Sequence, residues 1–300
     1  MKINYTIEDK YDNWEIRDIL RDRFDMSNNM IKRVKLYGIM EINGIHRRVI
    51  DKVNAGDIMR AEYEDDAGKL KNDSNIKIYY EDEWIAVCEK PAGMVTHPTH
   101  GHLDDSLLTA LSDNTLHPIM RLDRETSGII AIAKNGYAHD RTVKLGMNKK
   151  YMAIVYGKYE PSNGTIDKPI KRREGSVMIR DVAPDGHPSI THYREVFYNS
   201  ENNTSLVEFI LETGRCHQIR VHSLSEGHPL VGDGLYGPNS IDNPMDIEGS
   251  KELDAIVGRQ ALHAYYLALR HPVTEESMVF TSELPEDMRK LLGKDIRICQ

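Results

Sequence analysis

The chain has 300 residues, 40% of them hydrophobic and 29% charged, with a formal net charge of −8; that length holds one large domain and a small one around a sizeable core. No apolar run approaches the roughly 18 residues of a membrane span, and the start, Met1-Lys2-Ile3-Asn4-Tyr5, lacks the apolar stretch of a signal peptide. The cysteines, Cys88, Cys216 and Cys299, are odd in number and widely spaced, which argues against a disulfide framework or a zinc knuckle and for a cytoplasmic setting.

Residues 1–65 read as a small module. Trp14, Ile16, Ile19, Leu20 and Phe24 recur at mostly helical spacing and predict one short amphipathic helix. Ser27 is placed to cap a second, with Met30, Ile31 and Val34 facing inward and Gly38 just past its end. A strand at 39–42 then meets Asn43-Gly44, a hairpin signal, and another strand is expected near Val49. From Met30 to Arg60 seven Lys/Arg stand against three Asp/Glu, a local +4 inside an acidic chain. Lys32, Arg33 and Lys35 fall on the second helix, where a basic face would grip phosphates. Residues 66–75 are polar, with little to bury, and read as a linker.

The large domain, residues 76–300, opens with an apolar strand at 84–88 that ends in Lys90-Pro91-Ala92-Gly93 and His97-Pro98. Pro and Gly fix an irregular backbone there, a usual place for a loop that lines a site. His97, His100 and His102 raise the question of a metal, but they lack the helical pairing that puts two imidazoles on one face, and no metal site is expected. Asp105 and Ser106 start a short capped helix. Arg121-Leu122-Asp123-Arg124-Glu125-Thr126-Ser127-Gly128 then places one carboxylate between two guanidinium groups before an apolar run at 129–133. Flanking positive charge favours the ionised form, so a low pKa is expected for Asp123. Such a carboxylate can act as nucleophile or base at neutral pH, although the same pattern also makes ordinary surface ion pairs.

A basic helix is expected from Gly136 toward Lys149-Lys150, followed by a strand from Tyr151. Residues 164–194 carry the densest basic run, Lys171-Arg172-Arg173; from Arg141 to Arg180 ten Lys/Arg face three Asp/Glu. Glu212-Thr213-Gly214-Arg215-Cys216-His217-Gln218-Ile219-Arg220-Val221-His222 leads from a strand into a helix, with His217 and His222 expected to be structural. Gly227-His228-Pro229, Gly232-Asp233 and Tyr236-Gly237 follow, then Arg259-Gln260-Ala261-Leu262-His263-Ala264 before a last strand. The phosphate-loop pattern G-x-x-x-x-G-K-[ST] does not occur.

These segments, in this order from about Ile76 to Pro285, resemble the motifs of the RluA-type pseudouridine synthases, which isomerise uridine in RNA. R-L-D-R-E-T-S-G is similar to their signature, Lys149-Lys150-Tyr151-Met152-Ala153 to their K-x-Y-x-A, and the 213–222 segment to T-G-R-T-H-Q-I-R-x-H. Met120 stands where the family usually has His, and Cys216 where it has Thr. The resemblance implies that Asp123 is catalytic and that Arg220 pairs with it. Tyr151 would stack on the base, with Leu122 and Ile219 as pocket walls, and Arg121 would fill the space that a flipped base leaves. Lys171, Arg172 and Arg173 would touch the RNA backbone, and residues 1–65 resemble the alpha-L RNA-binding module of many members.

The expected fold is α+β: a mixed, mainly antiparallel sheet with a central cleft where the Asp123 loop meets 214–220, plus the small N-terminal α/β module. The implied partner is ribosomal RNA, or transfer RNA, and the chain is expected to be a monomer. The implied reaction gains no atom and moves no electron, so no cofactor is needed. A catalytically silent RNA-binding protein or RNA chaperone on the same fold is the alternative. A zinc deaminase would need H-x-E…P-C-x-x-C, which is absent.

Overall fold

The computed structural model describes residues 2–63, 70–71, 75–99 and 101–293. Most of the expected linker, together with His100 and Cys299, lies outside them.

In the small module, β1 (Lys2–Thr6) leads through a short 3-10 turn to α1 (Ile16–Asp22) and α2 (Asn28–Tyr37), then β2 (Ile39–Ile42), β3 (Ile45–His46) and β4 (Ile58–Glu62). The Ser27 hydroxyl accepts a hydrogen bond from the Met30 N–H at 3.3 Å, so α2 starts where a capping residue allows it. The strands pair antiparallel in the order β1-β4-β2-β3. Ile16, Ile19 and Leu20 of α1 and Met30, Ile31 and Val34 of α2 share one core with Met40, Ile42, Met59 and Ala61 of the sheet. Trp14 precedes α1 and is largely exposed. The strand expected near Val49 is the two-residue β3, and Val49 itself is buried in the loop beyond it.

The large unit contains β5 (Ile78–Glu81), β6 (Ile85–Lys90), α3 (Leu107–Leu111), β7 (His117–Pro118), β8 (Ser127–Ala133), α4 (Gly136–Leu145) and β9 (Met147–Tyr156). Next come β10 (Asn163–Asp167), β11 (Ile170–Arg172), β12 (Arg180–Val182), β13 (Ile190–Asn199), β14 (Thr204–Leu211) and α5 (Gln218–Ser225). The last elements are α6 (Ser250–Val257), β15 (Leu262–Arg270), β16 (Ser277–Thr281) and α7 (Glu286–Leu292). A ten-stranded sheet runs β10-β13-β14-β9-β15-β8-β6-β5, with β16 on β15 and β7 on β8; β11 and β12 form a separate hairpin. Among the pairings of the described strands only β15 with β8 is parallel, so the sheet is mixed and mainly antiparallel.

Strand alternation divides β9 between two cores. Tyr151, Ala153 and Val155 face the core that holds Leu122 and Ile219. Met152, Ile154 and Tyr156 face the other, against Val257 of α6 and Met288, Leu291 and Leu292 of α7. Gly146, at φ +81°, ends α4, and β9 starts at once, which makes Lys149 and Lys150 strand residues rather than the tail of a helix. Gly128 has φ +122°, and a Cβ there would lie 2.3 Å from the Ala264 carbonyl oxygen. The glycine of the 121–128 segment is therefore what lets β8 and β15 pair.

The small module meets the large one at α4. Lys144 and Arg141 donate to the Asp25 carboxylate at 2.6 and 3.0 Å, and Tyr137 packs against the small module's core. No described helix is long and apolar enough to cross a membrane.

Candidate active site

The Asp123 loop is held on several sides. The Lys90 side chain, at the end of β6, is fully buried and donates to the carbonyls of Pro91, Met94 and Arg124 at 2.8, 2.7 and 3.0 Å. It thus ties its own loop to the Asp123 loop, and burial pushes its pKa down to about 7. The Thr96 hydroxyl brackets Leu122, donating to its carbonyl at 3.0 Å and accepting from its N–H at 3.2 Å. From the far end of the chain, Arg259 donates to the Glu125 carbonyl at 3.0 Å and Gln260 to the Thr126 hydroxyl at 3.1 Å. With that backbone fixed, the direction of the Asp123 side chain is fixed too.

Arg220, in the first turn of α5, donates from Nη1 to Asp123 Oδ2 at 2.9 Å. Its other edge grips Asp233 in a bidentate pair, Nε to Oδ2 at 2.6 Å and Nη2 to Oδ1 at 2.7 Å. The Asp233 side chain is wholly buried, and its Oδ1 also accepts from the backbone N–H groups of Leu235 and Tyr236 at 3.0 and 3.1 Å. Burial works against the charge on Arg220, but the bonds and field of Asp233, with those of Asp123, hold its pKa above the ordinary value. Asp123 keeps 28% of its side chain exposed, and its Oδ1 has no bond among the described residues. One carboxylate oxygen is anchored and the other is available.

Tyr151 lies beside this pair, nearly buried, in one apolar cluster with Leu122, Ile219 and Met120. Burial, and then the charge of Asp123, raise its phenol pKa, so it stays protonated at neutral pH. His217 sits at φ +59° ahead of α5 with Nε2 3.8 Å from Asp123 Oδ2, beyond hydrogen-bond reach. The Tyr236 hydroxyl accepts from the Arg180 N–H at 2.9 Å and lies 2.8 Å from His217 Nδ1. Burial lowers the His217 pKa below its ordinary value, which favours the neutral ring. The site therefore joins an oriented carboxylate, a phenol and apolar walls, a set suited to holding a flat, uncharged ring against a carboxylate.

The profile of the RNA pseudouridylate synthase family matches residues 85–225, a span that includes Asp123, Tyr151 and Arg220. The chain is 36% identical over 270 residues to the uncharacterized RNA pseudouridine synthase YjbO of Bacillus subtilis, with 85% of this chain and 90% of that protein covered. It is 38% identical over 270 residues to ribosomal large subunit pseudouridine synthase D of Pseudomonas aeruginosa, covering 85% of this chain and 83% of that one. The chain belongs to the RluA-type RNA pseudouridine synthases. Among solved structures the synthase is similar to human RNA pseudouridylate synthase domain containing 4, with a TM-score of 0.56 and 25% identity over 72% of this chain and 92% of that one. It is an isomerase whose substrate is RNA.

In this synthase Asp123, Arg220, Tyr151, Leu122 and Ile219 converge. The arginines flanking Asp123 in sequence do not pair with it. Arg124 turns to the Gly93 carbonyl at 3.1 Å and to Glu125 at 3.4 Å, while Arg121 is exposed with no partner among the described residues. The cation at the carboxylate is Arg220, ninety-seven positions further on. The basic run is also less free than its composition suggests. Lys171 pairs with Asp185 at 2.8 Å and Arg173 is bidentate with Asp181 at 2.8 and 2.7 Å, leaving Arg172 exposed. Lys32 and Lys35 are exposed on α2, and Arg33 is half-buried near Gly136. His222 is a structural residue: Nδ1 lies 2.8 Å from the Thr191 hydroxyl and Nε2 2.9 Å from the Lys168 carbonyl. Two side chains that hold this arrangement escaped sequence reasoning, Asp233 and Lys90. Both lie inside segments that stand out as motifs, but nothing in their spacing says what they touch.

Proposed function

We propose that this synthase converts uridine to pseudouridine in ribosomal RNA, with Asp123 as its catalytic carboxylate and no cofactor. The observation that carries the reading is the Asp123–Arg220 pair at 2.9 Å against the apolar cluster of Tyr151, Leu122 and Ile219. The ribosomal substrate is suggested by relatives named ribosomal large subunit pseudouridine synthase D. The reaction breaks the N1–C1′ bond, turns the uracil and joins C5 to C1′; the C5 proton is lost and N1 gains one. Its balance needs no electron donor and no added group.

The target nucleotide leaves its stack, an event that costs a few kcal/mol. Tyr151 receives the base, Leu122 and Ile219 exclude water, and Asp123 meets the glycosidic region with its unbound oxygen. Arg121, exposed and unpartnered among the described residues, takes the vacated place in the stack, where a planar cation can also hold phosphate. Residues 1–65 act as an RNA-binding module through Lys32, Arg33 and Lys35, and residues 76–300 as the catalytic unit. Arg172, with Lys171 and Arg173 beside it, contacts the RNA backbone.

RNA tritiated at uridine C5 tests this directly. The native chain is expected to release tritium to water from a ribosomal RNA pool, and Asp123→Asn, which keeps the shape but not the charge, is expected to release none. No release from ribosomal or transfer RNA, with RNA binding intact, would overturn the reading in favour of a silent RNA-binding protein.

A further inference from the structure

Lys149 stands on β9 two residues before Tyr151, between Met147 and Tyr151 on the strand face that packs into the active-site core. Its neighbour Lys150 points to the opposite face and has company there, Glu208 at 3.7 Å and the Tyr266 ring at 5.1 Å. Lys149 has none. It is half-buried, and among the described residues it makes no hydrogen bond and no ion pair. No charged group offsets the burial that lowers its pKa. A Cβ built on Gly214 would lie 3.9 Å from its Nζ, so the ammonium lies against the start of the exposed 214–216 stretch that leads to His217 and Arg220. The next basic group on that stretch, Arg215, is exposed, and among the described residues its side chain engages only the Pro188 carbonyl, at 3.2 Å.

A half-buried cation without a counter-charge is costly to keep. This one is kept at the open end of the strand that carries Tyr151, with no carboxylate close by. We infer that Lys149 is a substrate-binding residue, its ammonium taking a phosphate oxygen of the RNA backbone beside the nucleotide received by Tyr151. The inference rests on the proposed function, which puts the extruded uridine on Tyr151. A phosphate is the fitting ligand because an ammonium is a compact point charge rather than a planar fork, and because the backbone of a flipped nucleotide passes along the rim of the pocket rather than its floor.

Lys149→Met removes the charge and keeps the stem, while Lys149→Arg keeps the charge. Binding of a ribosomal RNA fragment would be measured across a salt series for all three chains, with tritium release followed in parallel. Lys149→Met is expected to raise Kd about tenfold at low salt and to flatten the slope of log K against log salt by about 0.7–0.9. Lys149→Arg is expected to restore the slope, and the loss of activity in Lys149→Met should fall on KM rather than kcat. The thermal midpoint without RNA should hold or rise, whereas a lysine needed only for packing would lower it and leave the salt slope alone. An unchanged slope in Lys149→Met overturns the inference, whatever happens to Kd. If the native chain releases no tritium, the catalytic reading fails, and the slope still decides whether Lys149 meets phosphate.

Discussion

Arg220 is shared by two carboxylates, and the sharing is unequal. Asp233 holds two of its nitrogens and is itself pinned by two backbone N–H groups, whereas Asp123 holds one. Asp233 is thus the fixed end of the chain of contacts and Asp123 the half-exposed end. Asp233→Asn would leave a buried guanidinium short of counter-charge, and breaking a buried pair in this way costs about 3–5 kcal/mol. We expect that loss in urea unfolding, together with a fall in kcat larger than any rise in KM, because Arg220 would no longer hold Asp123 in place. That Asp123, Arg220 and Tyr151 would come together was legible in the sequence, because each sits inside a motif. Asp233 was not, since no spacing reveals which carboxylate will meet an arginine thirteen positions earlier. The positive charge expected from the flanking arginines is not beside the carboxylate, because adjacency along the chain does not bring side chains together, whereas the pairing with Arg220 that the family resemblance implied is present.

At the scale of elements, the Asp123 loop depends on how closely β8 approaches β15. Gly128 is the point of contact, and an added methyl would meet backbone atoms of Ala264 at 2.3 to 2.8 Å, with no flexible side chain to yield. Positive φ adds a second penalty. Gly128→Ala is expected to cost several kcal/mol, on the scale of severe overpacking, and to appear as a lower unfolding midpoint with loss of tritium release. Other elements were readable to different degrees. The cap on α2, the 43–44 turn and the strands of the large sheet follow from local signals. β1 was not expected: Ile3 and Tyr5 alternate with polar residues and pack against the small module's core, but two apolar residues at period two are a weak signal. The start of β9 was mistaken for the end of a helix because lysines suit helices, while the sheet ladder, which the sequence does not display, claims them for a strand.

Across the whole molecule, the contact at Asp25 joins two units with separate cores. The bond from Lys144, then its charge and that of Arg141, hold the Asp25 carboxyl below its ordinary pKa. A depressed carboxylate stabilises the docked form above the ordinary value of 3.8 and loses that contribution as pH falls through the lower, folded-state value. Being partly exposed, the contact is also screened by salt. Asp25→Asn is expected to enlarge the radius of gyration in small-angle scattering, as high salt does for the native chain, while the core of each unit stays folded. The basic face of α2 would then swing relative to Asp123, so RNA affinity should fall more than the rate on bound RNA.

The supports of the Asp123 loop also set the order in which the active site can be made. Arg259 and Gln260 hold Glu125 and Thr126, and β15 pairs with β8 through His263 and Ala264. These contacts span well over a hundred residues, the kind of long-range closure that slows folding. At roughly 5–20 residues per second on the ribosome, a growing chain carries Asp123 for on the order of ten seconds before the residues that seat it have been translated. Asp123 is made early and positioned late, so an unfinished chain holds the carboxylate without the contacts that seat it.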